Sequence, residues 1–525
     1  MYNPDNLHAV FNYSAVDDNA WADRTSLYFG STDAGETWFE VSAVPVNNGT
    51  TGRSGYPCIV GTSDGRAVIS NHNNNAPHPT RSTIFIDNSP FENNFTEYDP
   101  GETTTGPALY PKLTILPEDD IIMASGLELY TNKLSGGVFS VWEPHNGNGA
   151  ETYSLAVSEN GSKVGLVYLG EPSLGQANWV LYKESTDGGL TWSSPTIVWQ
   201  AYIDPVSGDI RGCLRGVYLS FNGEDPCVVF EVGWNTDTGF YPGLPSEIRF
   251  WSPNINGGNS KVLADSSNVS YFPNKGITDV QYPLSRPVIG RSQSHDYLFV
   301  AFNATTGDYW PGTSSADSTA YMCGMFMYSS DAGNTWSNPD RFTPITSPLL
   351  DWRFVSIVPV APFESGIIKV HLVMQGDPLP GSNINGWSWH LSCVCAQYYH
   401  FSTDIMITDV GDEKSVISSF NLEQNYPNPF NPSTKIKFTI PSVIASGAKQ
   451  SQLVTLKVYD VLGNQIATLV NEELSPGEYE VEFSGHSDEG QNLPSGVYFY
   501  QLRTKGPEIN SGQKMIQTKK MVLLR

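Results

Sequence analysis

The sequence predicts an all-β protein in which a β-propeller, a ring of small sheets, is followed by a small β-sandwich. Three observations lead to this fold class. Helical periodicity is absent along the chain. A unit of four short apolar strands recurs with a period of roughly 45–70 residues, which is the signature of propeller blades. The last hundred or so residues instead carry short alternating strands separated by turn residues, as a sandwich does.

The propeller prediction rests on a repeated inner hairpin: an entry residue, a short apolar strand, a turn and a second apolar strand. Six copies begin at Tyr56, Tyr110, Tyr153, Arg215, Arg286 and Arg353, the first reading YPCIVGTSDGRAVISN. Residues 8–43 form a further unit that lacks its first strand. We therefore expect seven blades, with six as the alternative if the first unit completes the last one.

A second, shorter repeat occurs in three of the predicted blades. The pattern S-x-D-x-G-x-T-W occurs at Ser31–Trp38, Ser185–Trp192 and Ser329–Trp336. This pattern suits a hairpin turn, because the Asp can accept backbone N–H bonds and the Gly tolerates a positive φ. The Trp is then a large apolar wedge for packing against a neighbouring sheet.

These three copies resemble the Asp boxes, or bacterial neuraminidase repeats, of sialidase-like β-propellers. In that family the boxes lie away from the active site. The resemblance therefore implies that Asp33, Asp187 and Asp331 are structural residues.

The C-terminal segment alternates apolar and polar residues in short strands. Val454, Leu456 and Val458 share one face, and Tyr479, Val481 and Phe483 share another. The opening NYPNPFNPST is too rich in proline for a helix, because each proline lacks an N–H. These features predict a small antiparallel Ig-like sandwich.

The C-terminal segment contains, in order, the motifs NYPNPFNPST, VYDVLGNQIATLV, SGVYFYQL and TKKMVLL. With these motifs in this order it resembles the C-terminal sorting domain of type IX secretion cargo in Bacteroidetes-like bacteria. The resemblance implies that the type IX machinery exports the chain to the outer surface of a Gram-negative cell. The polar stretch 442–452 departs from the family as a loop insertion. We expect a propeller at 1–409, a linker at 410–420 and the sorting domain at 421–525.

Charge excludes some partners. Residues 421–525 carry ten basic and ten acidic residues, so the net charge of −25 belongs to residues 1–420. A strongly acidic body disfavours nucleic acid and anionic membrane surfaces. The chain has neither a run of 18 apolar residues for a membrane span nor a signal peptide at MYNPDNLHAVFNYS, so we expect that the true N-terminus is missing. The six cysteines permit disulfides without demanding them.

The candidate ligand-binding residues are the six entry positions of the inner hairpins, because inner strands line the central channel of a propeller. They are Tyr56, Tyr110, Tyr153, Arg215, Arg286 and Arg353. Three converging guanidiniums would clamp a carboxylate by bidentate bonds. Sialidases hold their substrate carboxylate with an arginine triad beside a Tyr–Glu nucleophile pair, so the resemblance suggests an acidic sugar, with Glu231 or Asp351 as the carboxylate.

The alternative for these positions is packing, since Asp351 is a ready partner for Arg353, two residues away. The arginine-isoleucine-proline motif of sialidases is also absent. His72 and His78, in NHNNNAPHP, are a weak metal-ligand set, and we expect a solvated loop there. No cofactor or metal is predicted.

Two function hypotheses follow. The first is a secreted, surface-attached binding or scaffold module for a glycan or a protein, which we favour because no catalytic motif is recognisable. The second is an exo-acting, sialidase-like glycoside hydrolase that acts on an anionic or plant-type polysaccharide.

Overall fold

A computed structural model describes residues 5–15, 23–44, 53–74, 79–126, 128–148, 153–174, 177–235, 245–270, 281–293, 296–310, 319–381, 396–407, 421–440, 452–461, 464–474, 477–485, 493–505 and 514–524. The chain forms two compact units, 1–402 and 403–525. The described residues are almost entirely strands, with one short 3-10 segment at Asn256–Gly258. The all-β prediction is confirmed.

The first unit consists of successive, mainly antiparallel groups of strands that we number as blades 1 to 7; blades 3 and 4 are joined into one sheet by the pairing of Gly147 with Gly170. Blade 1 comprises Leu7–Tyr13, Thr25–Ser31 and Phe39–Val44. Blade 2 comprises Ser54–Gly61, Ala67–Asn73, Arg81–Asp87 and Phe95–Tyr98. Blade 3 comprises Lys112–Ile115, Ile121–Ser125, Glu128–Ser135, Val138–Phe139 and Glu143–Asn148. Blade 4 comprises Tyr153–Val157, Val164–Leu174, Ala177–Ser185 and Thr196–Trp199. Blade 5 comprises Val217–Asn222, Asp225–Asn235, Glu247–Trp251 and Lys261–Ala264. The short strands Tyr202–Ile203 and Ile210–Gly212 form a hairpin that extends the sheet of blade 5, because Ile210–Gly212 pairs with the end of Asp225–Asn235.

Blade 6 comprises Leu284–Ser292, Leu298–Trp310, Thr319–Ser329 and Asp340–Arg341. Blade 7 comprises Asp351–Ile357, Phe363–Glu364, Ile367–Asp377 and Gln397–Met406. The short strand Val360–Ala361 pairs in parallel with Leu284–Ser292 and so belongs to the sheet of blade 6. From blade 2 to blade 7, each inner strand packs beside the inner strand of the next blade, so these strands surround a common axis.

Blade 1 lacks an inner strand among the described residues. Its strand Leu7–Tyr13 pairs with Thr25–Ser31 and corresponds to the second strand of the other blades. The backbone shows this equivalence: the Ala34 N–H donates to the Asp5 carbonyl in blade 1 as the Ala332 N–H donates to the Asp296 carbonyl in blade 6, both at 2.9 Å. The predicted three-strand first unit is confirmed.

The ring closes between blades 7 and 1. The rings of Phe11 in blade 1 and Tyr398 in blade 7 stack with their centroids 3.9 Å apart. Blades 1 and 7 are separate sheets, so the first unit of the sequence does not complete the last. The described residues therefore form the favoured seven blades rather than six.

The three S-x-D-x-G-x-T-W segments form the same turn, between the third and fourth strands of blades 1, 4 and 6. In the last copy the Asp331 carboxylate accepts the Thr335 N–H at 2.8 Å, and the Ser329 hydroxyl accepts the Gly333 N–H at 2.8 Å. The glycine has a φ of 93°. The predicted use of the Asp and Gly is confirmed.

Each turn also packs against the preceding blade. An added Cβ at Gly333 would lie 2.7 Å from Phe250 in blade 5, and the Trp336 ring contacts Phe250 edge-on with centroids 5.2 Å apart. In the same way Trp192 contacts His145 of blade 3, and Trp38 contacts His400 of blade 7. The three turns therefore act as wedges between blades.

The second unit is a sandwich of two antiparallel sheets. One sheet contains Asn421–Leu422, Ser433–Ile440 and Gly477–Ser484, and the other contains Gln465–Leu474, Gln452–Tyr459, Gly496–Lys505 and Lys514–Leu523. Val454, Leu456 and Val458 are fully buried between the sheets, as their alternation predicted.

Candidate functional site

The entry residues of the inner strands lie at one edge of the ring. Strands alternate in direction within an antiparallel blade, so the starts of first and third strands and the end of the second strand share this edge. The S-x-D-x-G-x-T-W turns follow the third strands and lie at the opposite edge. We call the first edge the mouth of the channel and define its residues as Tyr56, Tyr110, Arg215, Arg286 and Phe354.

Four mouth residues have a left-handed backbone. The φ angles are 57° at Tyr56, 59° at Tyr110, 53° at Arg286 and 56° at Phe354. Side chains of this size rarely adopt such angles, which cost about 1–3 kcal/mol each. Repetition of the same unfavourable conformation in four blades indicates a recurring feature of the ring rather than a local irregularity.

The predicted entry position of blade 7 is wrong by one residue. The pairing register shifts between Arg353 and Ser356, as it does between Ser285 and Val288 in blade 6. Phe354, not Arg353, therefore occupies the position equivalent to Arg286, and its side chain is 45% exposed. Arg353 points the other way and is 3% exposed, because a one-residue offset in a strand reverses the face.

Arg353 is bound inside the blade. Its Nε donates to the Asp351 carboxylate, which is fully buried. Asp351 also accepts the backbone N–H groups of Met322 at 2.6 Å and Gly381 at 3.0 Å. This ion pair excludes Arg353 from the predicted three-arginine clamp at the mouth.

Side chains from the second strands hold the mouth backbone of the next blade. Asn12 Oδ1 accepts the Tyr56 N–H at 3.1 Å, and His72 Nδ1 accepts the Tyr110 N–H at 3.4 Å. Glu231 Oε2 accepts the Arg286 N–H at 2.8 Å. These interblade bonds offset part of the cost of the left-handed residues, because they satisfy N–H groups at the bulges.

Glu231 is the most heavily used of these acceptors. Its Oε1 accepts the Arg215 N–H at 3.1 Å, and the side chain is 2% exposed. The structure therefore brings Arg215 and Arg286 together through their backbones and one shared carboxylate. With both oxygens committed to backbone donors, Glu231 is built into blade 5 rather than presented to a ligand.

A tyrosine lies beside this glutamate. Tyr282 is fully buried, and burial together with the charge of Glu231 raises the pKa of its phenol well above the usual range. Sequence reasoning did not identify Tyr282, which belongs to no repeat. The Tyr282–Glu231 pair is enclosed by protein, so neither group reaches solvent in this conformation.

Tyr153 is also internal. Its ring is 1% exposed, and its hydroxyl donates to the backbone carbonyl of Tyr110. Tyr153 therefore lies beneath the mouth and binds its backbone, and its side chain forms no part of the mouth surface. The prediction that Tyr153 belongs to the ring of ligand-binding side chains is wrong.

Tyr56 and Tyr110 form an aromatic cluster with His72. The two tyrosine rings meet edge to face with centroids 4.7 Å apart, and His72 lies 4.9 Å from Tyr56 and 5.3 Å from Tyr110. His72 belongs to the buried strand Ala67–Asn73 and is 7% exposed, so the expected solvated loop is wrong at this residue. Burial, aided by the charge of Arg24, lowers the pKa of His72 to about 4. The imidazole is neutral at pH 7. His78 lies outside the described residues.

Two arginines that sequence reasoning missed adjoin this cluster. Arg24 precedes the third strand of blade 1, and its Cζ lies 5.8 Å from the centre of the Tyr56 ring. Its Nε donates to the Ser54 carbonyl at 2.9 Å, which places it next to Arg53 in blade 2. Neither arginine occupies a hairpin entry position or the S-x-D-x-G-x-T-W pattern, so no sequence signal marked them.

The other side of the mouth also combines a cation with an aromatic ring. The Arg286 guanidinium lies 5.8 Å from the centre of the Phe354 ring. Arg286 and Arg215 are half-buried, while Phe354 is exposed. The mouth thus presents rings and guanidiniums, whereas both carboxylates considered from the sequence are internal.

The described residues contain no group of three or more His, Cys, Asp or Glu side chains placed to hold a metal ion. Cys58, Cys213, Cys227 and Cys323 are free thiols. Within the same described part of the chain, no helix has the length and apolar character needed to cross a membrane.

Comparison with known families identifies the second unit. Residues 424–520 match the family model described as the secretion system C-terminal sorting domain. These residues span the sandwich, and the match indicates export by the type IX secretion system to the cell surface. No curated protein matches the sequence of the chain.

Solved structures resemble the chain at low identity. A polysaccharide lyase of family PL25, an ulvan lyase bound to -[GlcA(1-4)Rha3S]-, has 10% identity and a TM-score of 0.35, with 83% of this chain and 88% of that chain covered. An α-L-arabinanase of Penicillium chrysogenum complexed with arabinobiose has 13% identity and a TM-score of 0.35, covering 62% and 88%. The N11 neuraminidase-like protein of A/flat-faced bat/Peru/033/2010 has 7% identity and a TM-score of 0.36, covering 68% and 89%.

Proposed function

We propose that the propeller is a non-catalytic glycan-binding module that the sorting domain displays on the cell surface. The observation that carries this proposal is that the candidate carboxylates are buried, whereas the aromatic rings and guanidiniums at the mouth are accessible. Glu231 and Asp351 are 2% and 0% exposed and accept backbone N–H groups, whereas Tyr56, Tyr110, Arg286 and Phe354 are half-buried or exposed at the channel edge.

The chemistry of the mouth suits a sugar. Aromatic rings offer flat apolar faces with a polar edge, and guanidiniums offer several directed N–H donors. The left-handed backbone and the interblade bonds hold these groups in place before a ligand arrives. Preorganisation of this kind lowers the entropic cost of binding.

The alternative is a sialidase-like glycoside hydrolase, and the Tyr282–Glu231 pair is the observation that favours it. Such an enzyme would need this pair to contact the substrate, and it is enclosed beneath Arg215 and Arg286. A tyrosine whose pKa is raised by burial and by a neighbouring carboxylate is also a poor nucleophile. We therefore place binding ahead of hydrolysis.

The test applies the purified full chain to an array of sialosides, uronic-acid polymers and neutral plant polysaccharides, with release of reducing sugar measured in parallel. We expect binding without turnover. Tyr56→Ser and Phe354→Ser should each weaken binding at least tenfold, while Tyr426→Ser, at an 81% exposed position of the sorting unit, should leave it unchanged.

Turnover of any of these glycans by the wild-type chain would establish the hydrolase instead. Binding of a protein but of no glycan would move the module to the protein-binding class. Equal binding by wild type, Tyr56→Ser and Phe354→Ser would show that the mouth is not the site.

A further inference from the structure

We infer that Arg24 and Arg53 form an anion-binding subsite beside Tyr56 and Tyr110, which takes a carboxylate or sulfate group carried on a sugar ring. This inference rests on the proposed glycan-binding function and specifies the class of ligand. The site lies between blades 1 and 2, at the position where blade 1 lacks an inner strand among the described residues.

The two arginines are brought together by the pairing of blade 1 with blade 2. The Ser54 N–H donates to the Arg24 carbonyl at 3.0 Å, and the Arg24 Nε donates back to the Ser54 carbonyl at 2.9 Å. Arg53 immediately precedes Ser54, and its own N–H donates to Asn74 Oδ1 at 2.5 Å. The backbone therefore fixes the two side chains as neighbours, and both are half-buried.

Neither cation forms an ion pair with a carboxylate of the described residues. Among the residues that the structure describes, no Asp or Glu oxygen lies within 4 Å of Arg24 or Arg53, and the Arg53 Nε is buried without a hydrogen-bond partner. This is unusual in a chain with 54 acidic and 29 basic residues. Burial and the charge of Arg53 both lower the pKa of Arg24, as expected for like charges held together. An anionic group would relieve both effects.

The guanidinium of Arg24 is held in a fixed place by a glycine. A Cβ added at Gly55 would lie 2.7 Å from Arg24 Nη2 and 2.8 Å from its Cζ, so the planar group lies directly on the Gly55 backbone. The Tyr56 ring adjoins the same guanidinium, and His72 is neutral at pH 7 and adds no charge. The subsite therefore joins two cations to an aromatic wall, which fits an acidic sugar rather than a free inorganic ion.

The test measures binding of the full chain to polygalacturonate, dextran sulfate and neutral dextran by titration calorimetry. Arg24→Gln and Arg53→Gln should each weaken binding of the two anionic polymers at least tenfold. They should also reduce the slope of log affinity against log salt by about one unit each, because each removes one charge contact. Arg66→Gln, which removes an equal charge paired with Asp64, is the matched control and should change neither value.

Gly55→Ala provides a variant that keeps all charges. Its methyl group should displace the Arg24 guanidinium and weaken polymer binding as Arg24→Gln does, with an unchanged circular dichroism spectrum. This variant keeps the inference testable if an arginine substitution destabilises the fold. Equal binding of dextran and dextran sulfate by wild type, or equal behaviour of Arg24→Gln, Arg53→Gln and Arg66→Gln, would overturn the subsite.

The outcomes separate this inference from the proposed function. Neutral-glycan binding that depends on Tyr56 and Phe354 but not on the arginines would keep the binding module and remove the subsite. Polyanion binding that depends on Arg24 and Arg53 but not on Phe354 would support the subsite and would show that the mouth as a whole is not the glycan-binding site. Binding of no anionic polymer would overturn the inference.

Discussion

The carboxylate of Glu231 in blade 5 accepts the backbone N–H of Arg286 in blade 6 at a distance of 2.8 Å. Through this bond a side chain of one blade fixes the left-handed residue of the next, and the same carboxylate accepts the Arg215 N–H. The glutamate is therefore a connector between blades, and the mouth of the channel depends on it.

Replacement of Glu231 by Gln should lower the free energy of unfolding by about 2–4 kcal/mol, because an amide N–H₂ group then faces a buried backbone N–H. The measurement is urea unfolding followed by tryptophan fluorescence, which reports on the propeller since all 13 tryptophans precede residue 421. Glu36→Gln, at an exposed position, is the control. Unchanged stability in Glu231→Gln would contradict the connector role.

The ion pair between Arg353 and Asp351 gives a second prediction. Arg353→Ala leaves a buried carboxylate without its cation and should destabilise the propeller by about 3–5 kcal/mol. Arg286→Ala removes a half-buried side chain at the mouth and should cost less than about 1 kcal/mol. Equal losses in the two variants would show that the two arginines do occupy equivalent positions.

The wedge turns predict a strong dependence on glycine. Gly333→Ala combines a φ of 93° with a methyl group 2.7 Å from Phe250, and should cost about 2–4 kcal/mol. Gly223→Ala has a φ of 56° and no heavy atom within 4 Å of the added Cβ, so about 1 kcal/mol is expected. The difference between the two losses in free energy of unfolding measures the contribution of packing against the preceding blade.

Histidines at the seam between blades 7 and 1 predict a loss of stability in acid. His371 Nδ1 and His400 Nε2 are 3.0 Å apart, and a Cβ at Gly35 of blade 1 would lie 2.3 Å from His400. Burial, then the charges of His400 and Lys369, lowers the pKa of His371 to about 3. Burial also lowers the pKa of His400.

Because these folded-state pKa values lie below the ordinary value near 6.5, the unfolded chain binds more protons at intermediate pH. The stabilisation is complete above pH 6.5 and is lost as the pH falls from there towards 3, by about 1.4 kcal/mol per pH unit for each proton. His371→Gln should make this slope shallower between pH 6.5 and 4.5. Asp33→Asn should leave that interval unchanged, since the pKa of Asp33 is lowered to about 2 by its bonds to Thr37.

Deletion of residues 421–525 should trap the chain in the periplasm with its propeller folded. Cell fractionation and protease accessibility on intact cells measure the location, and tryptophan fluorescence measures the fold. Deletion of residues 442–450, within the polar stretch 442–452 that we expect to be a loop insertion, should leave export intact. Surface display of the first variant would contradict export through the sorting domain.

Local chemistry determined much of this protein from its sequence alone. The turn at Ser329–Trp336 forms from its own Asp, Gly and Ser, which need no distant partner. The alternation around Leu456 fixes the buried face of a sandwich strand. The recurring hairpins favoured seven blades over six and predicted a first unit without its first strand, because the main strands of each blade follow one another along the chain.

The tertiary structure decided which side chains the mouth presents. A bulge shifts the register after Arg353, and a shift of one residue turns Phe354 outward and buries the arginine. Arg24 and Arg53 belong to different blades and meet through the pairing at Ser54. Bulges and contacts between blades depend on packing across the ring, so period-2 patterns and motif spacing carry no information about them.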